Sequence, residues 1–253
     1  MNKAPLHIRG VYAITLDEPR TESLIYKVSE VLAGGVRLIQ YRNKLANKSL
    51  ARVQAAKLRK LTQDAGARLI INDDIELALE VSADGVHLGR DDGCVHGAFV
   101  DINLLRQRAS QTSPGNRQFL FGISCYNELD AARAAAAAGA DYIAFGSFFP
   151  SPTKPNAARA ELSLIRHAKQ EFSLPVVAIG GITAENAPQL IVAGADAIAV
   201  ISSLFDTDNI RSRAQLFSSF FPAADRRYGR GPVTGRSQNP APFGAQQSFA
   251  RWR

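Results

Sequence analysis

From residue 11 to residue 221 the chain alternates short apolar runs with longer amphipathic stretches. The apolar runs fall at 11–15, 36–42, 68–73, 85–89, 119–125, 142–147, 176–181 and 197–202. Their length and their β-branched content predict strands. Between them, apolar residues recur at helical spacing over 21–33, 47–65, 75–81, 101–111, 127–138, 161–172, 184–193 and 209–221. A strand followed by a helix, repeated eight times, predicts an α/β fold of the (β/α)8 barrel type.

The junctions carry the same message. Ala33-Gly34-Gly35-Val36, Ala138-Gly139-Ala140-Asp141 and Ala193-Gly194-Ala195-Asp196 each place glycine after a helix and an apolar run next. Glycine there accepts the left-handed cap that other residues resist. A doubly wound open sheet is the competing architecture. It calls for a glycine-rich loop after the first strand, where this chain has Leu16-Asp17-Glu18-Pro19.

Composition bounds the picture further. A chain of 253 residues, 46% hydrophobic, suits one barrel domain at 1–222. No apolar run approaches the length of a membrane span. No apolar signal segment follows Met1-Asn2-Lys3-Ala4-Pro5, and Cys94 and Cys125 form neither a disulfide framework nor a metal-ligand spacing. A reduced, cytoplasmic setting is expected. The net charge of +7 is concentrated at the end of the chain, where six arginines face Asp225 alone and supply +5 of it. Residues 223–253 are also rich in glycine and proline and lack a period, which predicts a disordered tail. Arginine-rich tails can touch RNA, but the nearly neutral body does not read as a nucleic-acid binder.

In a barrel, chemistry collects at the carboxyl ends of the strands. There the second run ends in Gln40, Arg42 and Lys44 at alternate positions, so period-two geometry expects all three on one face. Burying those charges unpaired would cost several kcal/mol, so an anionic ligand is implied. The third run ends in Asn72 and Asp73, the fourth leads to Asp91-Asp92, and the fifth carries Ser124. The sixth opens a loop through Ser151, Thr153 and Lys154. Gly180-Gly181 and Ile201-Ser202 close the last two runs before helices, the usual phosphate site of such barrels, although glycine pairs also serve as plain turns. The hard carboxylates Asp73 and Asp92 suit Mg²⁺. Helix capping competes for the first of them, with Asp74 the better cap. His7, His87, His96 and His167 show no ligand spacing and are expected to be structural or exposed.

Taken in order, Gln40-Tyr41-Arg42-Asn43-Lys44, Ile71-Asn72-Asp73-Asp74, 83–89, 145–154 and Ile179-Gly180-Gly181-Ile182-Thr183 with 193–196 resemble the thiamine-phosphate synthase family over residues 10 to 220. The resemblance implies a barrel transferase of thiamine biosynthesis. Its small-molecule substrates would be a pyrimidine diphosphate and a thiazole phosphate, its cofactor Mg²⁺. It places diphosphate and pyrimidine contacts on Gln40, Arg42, Lys44, Asn72, Ser124 and Lys154, with Arg42, Lys44, Lys154 and Ser124 catalytic. Magnesium ligation falls on Asp73 and Asp92, and thiazole-phosphate contacts on Ser151, Thr153, Gly181, Ile201 and Ser202. Arg90 stands where the family often has glutamine, and Ser151 where threonine is common. Two rivals remain: a thiazole tautomerase on the same fold, and a silent barrel that binds RNA or a partner through its tail.

Overall fold

The computed structural model describes residues 8–89, 94–95, 98–99, 101–112, 118–150 and 158–221. Strands β1 (Gly10–Ile14), β2 (Leu38–Tyr41), β3 (Arg68–Asn72) and β4 (Gly85–Leu88) come first. A small antiparallel ribbon, β5 (Cys94–Val95) with β6 (Ala98–Phe99), interrupts the series. Then follow β7 (Leu120–Tyr126), β8 (Tyr142–Phe145), β9 (Val176–Ile179) and β10 (Ala197–Val200). The eight longer strands are parallel and close in the order β1-β10-β9-β8-β7-β4-β3-β2, with β2 returning to β1.

The helices of the described residues are α1 (Thr21–Ala33), α2 (Lys48–Asp64), α3 (Ile75–Glu80), α4 (Ile102–Thr112), α5 (Leu129–Ala137), α6 (Leu162–Glu171), α7 (Ala187–Ala193), α8 (Ser202–Phe205) and α9 (Ile210–Ser219). The expected (β/α)8 barrel is therefore the observed one. None of these helices is long and apolar enough to cross a membrane.

Alternation along each strand divides the core in two, because successive side chains point to opposite faces. Tyr12, Ile14, Leu38, Leu120, Tyr142, Ala144, Val177, Ala197 and Ala199 pack together inside the barrel. Their neighbours Val11, Ala13, Ile39, Phe121, Ile143, Phe145, Val176 and Ile198 belong to the larger cluster under the helices. Gln40, His87 and Ser124 fall on the inner register, so polar groups replace apolar filler toward the carboxyl ends.

Local signals explain most boundaries. Asn47, Asp74 and Asn209 cap α2, α3 and α9 by accepting the backbone N–H of Leu50, Leu77 and Ser212. Asp74, not Asp73, is thus the capping residue. The helix-to-strand glycines Gly35, Gly139 and Gly194 take φ of 98°, 92° and 110°.

Two expectations need correction. β2 stops at Tyr41, so Arg42 and Lys44 lie in the loop beyond it and do not continue the alternation of Gln40. The cause is Thr15, whose hydroxyl takes both backbone groups of Arg42. β10 stops at Val200, and Ser202 opens the single turn of α8 instead of ending the strand. The β5–β6 ribbon was not anticipated.

At the opposite, amino-terminal end of the barrel a repeated device ties neighbouring strands. Asp84, Asp141 and Asp196 each accept a backbone N–H from the strand beside them, those of Leu69, Phe121 and Val176. Arg59, Arg106 and Lys169 complete the three carboxylates. These aspartates follow the recurring Ala-Gly-Ala-Asp and Ala-Asp-Gly junctions, so the repeat marks a bond needed to hold the sheet.

Candidate active site

Adjacency in the barrel decides which strand ends meet. β2, β3, β4 and β7 are consecutive neighbours, so Gln40, Arg42, Asn72, Asp73 and Ser124 form one arc around the mouth. Arg42, Lys44, Asn72 and Asp73 line a single open cleft, together with Lys48 and Arg52 of α2 and Glu76 of α3.

The cationic loop after β2 is held from several sides. Thr15 Oγ1 donates to the Arg42 carbonyl at 2.8 Å and accepts the Arg42 N–H at 2.9 Å. Asp17 Oδ1 accepts the Lys44 N–H at 2.7 Å and lies 3.6 Å from Arg42 Nη1. The Glu18 carbonyl accepts the side-chain amides of Asn43 and Gln54, both at 2.8 Å. Burial alone would raise the Glu18 carboxyl, but hydrogen bonds from Ser23, Lys27 and the Arg20 amide outweigh it and hold the pKa down at about 2. The loop therefore carries fixed charge on a rigid frame. Arg42 is mostly enclosed, with 19% of its side chain exposed, while Lys44 is exposed and reaches toward solvent.

Asp73 sits just past β3 with a left-handed φ of 62°, a conformation aspartate tolerates better than most residues. Its N–H donates to the His87 carbonyl at 2.8 Å. Its carboxylate accepts Asn72 Nδ2 on Oδ2 and the Gly89 N–H on Oδ1 at 3.2 Å. Asn72 and Asp73 are thereby locked to each other and to the end of β4.

Inside the barrel, below this rim, lies a polar chain. Gln40 Nε2 donates to Tyr12 Oη at 2.9 Å, and Tyr12 Oη meets Tyr142 Oη at 2.9 Å. Tyr142 Oη lies 3.2 Å from His87 Nδ1, and His87 Nε2 lies 2.9 Å from Ser124 Oγ. The His87 and Tyr142 rings stack with centroids 5.6 Å apart. Burial pushes the His87 imidazole down to about 4, so it is neutral at neutral pH, and burial is also the largest influence raising both phenols. His87 is thus buried, and its ring is hydrogen-bonded to Ser124 of the candidate site. Room for this chain depends on Gly122, where an added Cβ would lie 2.0 Å from Tyr142 Cζ.

Across the mouth, Gly181 follows β9 and Ser202 follows β10 on adjacent strands. Gly180 and Gly181 have φ of 105° and 61°, and a Cβ on Gly181 would stand 2.2 Å from the Pro150 carbonyl oxygen. Asn186 closes the turn by donating to the Gly181 carbonyl and accepting the Thr183 N–H. Ile201 is partly buried and packs against the inner apolar cluster. Ser151, Thr153, Lys154 and Asp92 lie outside the described residues. Among the described residues, no three carboxylate, thiolate or imidazole groups gather closely enough to hold a metal ion by themselves.

Sequence reasoning missed Thr15, Asp17, Tyr12 and Tyr142. The two tyrosines look like ordinary strand filler. Their spacing from the inner-facing residues of their own strands is the only hint that their hydroxyls enter the barrel.

A family model described as thiamine monophosphate synthase matches residues 11–204. The thiamine-phosphate synthase of Thiobacillus denitrificans is 49% identical over 214 residues, covering 85% of this chain and 95% of its own. That of Azoarcus sp. is 47% identical, with 85% and 98% covered. The solved thiamine phosphate pyrophosphorylase of Pyrococcus furiosus superposes with a TM-score of 0.70 at 31% identity, covering 85% of this chain and 96% of its own.

Proposed function

The chain belongs to the thiamine monophosphate synthase family, and from that membership we propose that its barrel couples 4-amino-2-methyl-5-(diphosphooxymethyl)pyrimidine to a thiazole ethyl phosphate, free or carboxylated. The products are thiamine phosphate and diphosphate, with CO₂ released from the carboxylated form. The carrying observation is the arc of Gln40, Arg42, Asn72, Asp73 and Ser124 at the carboxyl ends of β2, β3 and β7, three of four consecutive strands, facing a glycine turn and a helix start across the mouth.

The pyrimidine amino group feeds electron density toward the exocyclic carbon. The C–O bond can then break with both electrons leaving on diphosphate, before the thiazole nitrogen supplies the pair for the new C–N bond. Little acid–base work falls to the protein. Arg42 and Lys44, on the loop pinned by Thr15 and Asp17, stabilise the departing charge, Lys154 is assigned to the same task, and Ser124 and Asn72 add hydrogen bonds. The Gly181 and Ser202 backbone, with Ser151, Thr153 and Ile201, holds the thiazole phosphate so that its nitrogen lies in line. Such orientation contributes up to roughly 7–11 kcal/mol.

Mg²⁺ is the cofactor we assign to Asp73 and Asp92. Asp73 fits the assignment: its hard oxygens are steadied by Asn72 and the Gly89 N–H at the rim of the cationic cleft. Mg²⁺ typically takes one or two carboxylates and completes its shell with water and substrate phosphate. When bound, the ion supplies Lewis-acid stabilisation of the leaving diphosphate.

We set the catalytic unit at 1–222 and regard 223–253 as a separate tail. In support, the barrel closes through β10 and is covered by α9 without any residue beyond Phe221.

The test is diphosphate release with both half-substrates and Mg²⁺. Thiamine phosphate should form only when both are present, and EDTA should stop it. Isomerisation of the thiazole alone, with no diphosphate released from the pair, would instead make the chain a tautomerase.

A further inference from the structure

The polar chain inside the barrel joins five strands: Gln40 from β2, Tyr12 from β1, Tyr142 from β8, His87 from β4 and Ser124 from β7. Gln40, Tyr12, Tyr142 and His87 are all buried. Both of its ends, Gln40 and Ser124, belong to the proposed site. The three residues between them do not, and an apolar filler would pack the barrel more simply.

Hydrogen-bond direction along the chain is constrained. The Gln40 amide nitrogen only donates, so Tyr12 Oη accepts from it. Tyr12 must then place its own proton on Tyr142, because the other contact of its hydroxyl is already a donor. Tyr142, having accepted from Tyr12, donates to His87 Nδ1. A neutral imidazole that accepts at Nδ1 carries its proton at Nε2, and that proton goes to Ser124 Oγ. Ser124 accepts from below, which leaves its own O–H to donate to a ligand above. With Gln40 turned the other way every arrow reverses: Ser124 would donate to His87 and would offer a ligand only a lone pair, repelling an anion.

We propose that Tyr12 and Tyr142 are positioning residues of the reaction, which carry the orientation of the Gln40 amide across the barrel to His87 and hold Ser124 as a hydrogen-bond donor to the departing diphosphate. The proposal rests on the reading of Ser124 as a diphosphate contact. It adds that the donor state of Ser124 is set by Tyr12, Tyr142 and His87, which lie below the rim inside the barrel. It also gives the small residue at Gly122 a purpose, since any side chain there would displace the Tyr142 ring.

Two measurements test it, the first without any variant of the chain. In wild-type protein, ¹⁵N spectra of the histidine ring assigned to His87 should show a protonated Nε2 and an unprotonated Nδ1. The Nδ1–H tautomer would overturn the relay while leaving the site assignment intact. The second measurement is kinetic. Tyr142→Phe keeps the ring and removes the hydroxyl. It should lower kcat by about tenfold, the scale of one hydrogen bond to a charged group, with KM for the thiazole phosphate unchanged and an unfolding midpoint that confirms a folded barrel. In a Ser124→Ala background the same substitution should have no further effect, since the two act as one unit. An equal fall in both backgrounds would overturn the proposal. So would wild-type turnover by Ser124→Ala alone, which would also remove Ser124 from the diphosphate site.

Discussion

Thr15 grips the backbone of Arg42, donating to its carbonyl at 2.8 Å and accepting its N–H at 2.9 Å through one hydroxyl. A side chain just past β1 thereby ends the β2 ladder and sets where the site's enclosed guanidinium begins. Thr15 itself is fully buried, so no water replaces it readily. Thr15→Val keeps the shape and removes the hydroxyl, leaving both Arg42 groups without their partner. The expected loss is about 1–3 kcal/mol of stability, together with a higher KM for the pyrimidine diphosphate as Arg42 loses its anchor. Denaturant unfolding and steady-state kinetics on the same variant check both effects.

Stability and catalysis should separate at the other end of the barrel. Asp141 accepts the Phe121 N–H at 2.8 Å and pairs with Arg106 at 3.1 Å. Asp141→Ala leaves the Phe121 N–H without its acceptor, while Arg106 keeps its bonds to the Phe119 and Gly139 carbonyls, at a cost of about 1–3 kcal/mol. Because the site lies at the carboxyl ends of the strands, kcat measured well below the unfolding temperature should stay near wild type.

How far this was legible in advance depends on the range of the interaction. The barrel followed from alternation and spacing because each strand is buried on both faces and each helix on one, and those periods are local. Asp74 as the α3 cap and Gly194 as a left-handed helix end were equally local. The loop after β2 was not. Period two was extended to Arg42 and Lys44, but Thr15, more than two dozen residues earlier, takes the backbone first. Tyr12 and Tyr142 are separated by 130 positions, and nothing near either in the sequence marks its hydroxyl as part of a chain. The gathering of Gln40, Asn72, Asp73 and Ser124 was readable because barrel topology assigns strand ends to one mouth. Which of them touch one another was not.

Acid should weaken the fold through Glu18, which anchors the loop after β1. The Glu18 carboxyl is held at about 2 in the fold, below the ordinary glutamate range near 4.3. A depressed carboxylate contributes stability that is complete above its unfolded pKa and is lost as pH falls toward its folded one. Stability should therefore decline between about pH 4.5 and 2. Glu18→Gln should be less stable near neutrality and show a shallower acid limb, read from unfolding midpoints across that interval.

The central claim is that the β2–β3–β4–β7 arc stabilises a departing diphosphate. Arg42 is its most enclosed described cation, so Arg42→Ala tests the claim most directly. With both half-substrates and Mg²⁺ saturating, diphosphate release should fall by about 10²-fold or more, the scale of losing one preorganised charge stabiliser, in a variant whose unfolding midpoint shows it still folded. Release at the wild-type rate from that folded variant would contradict the account.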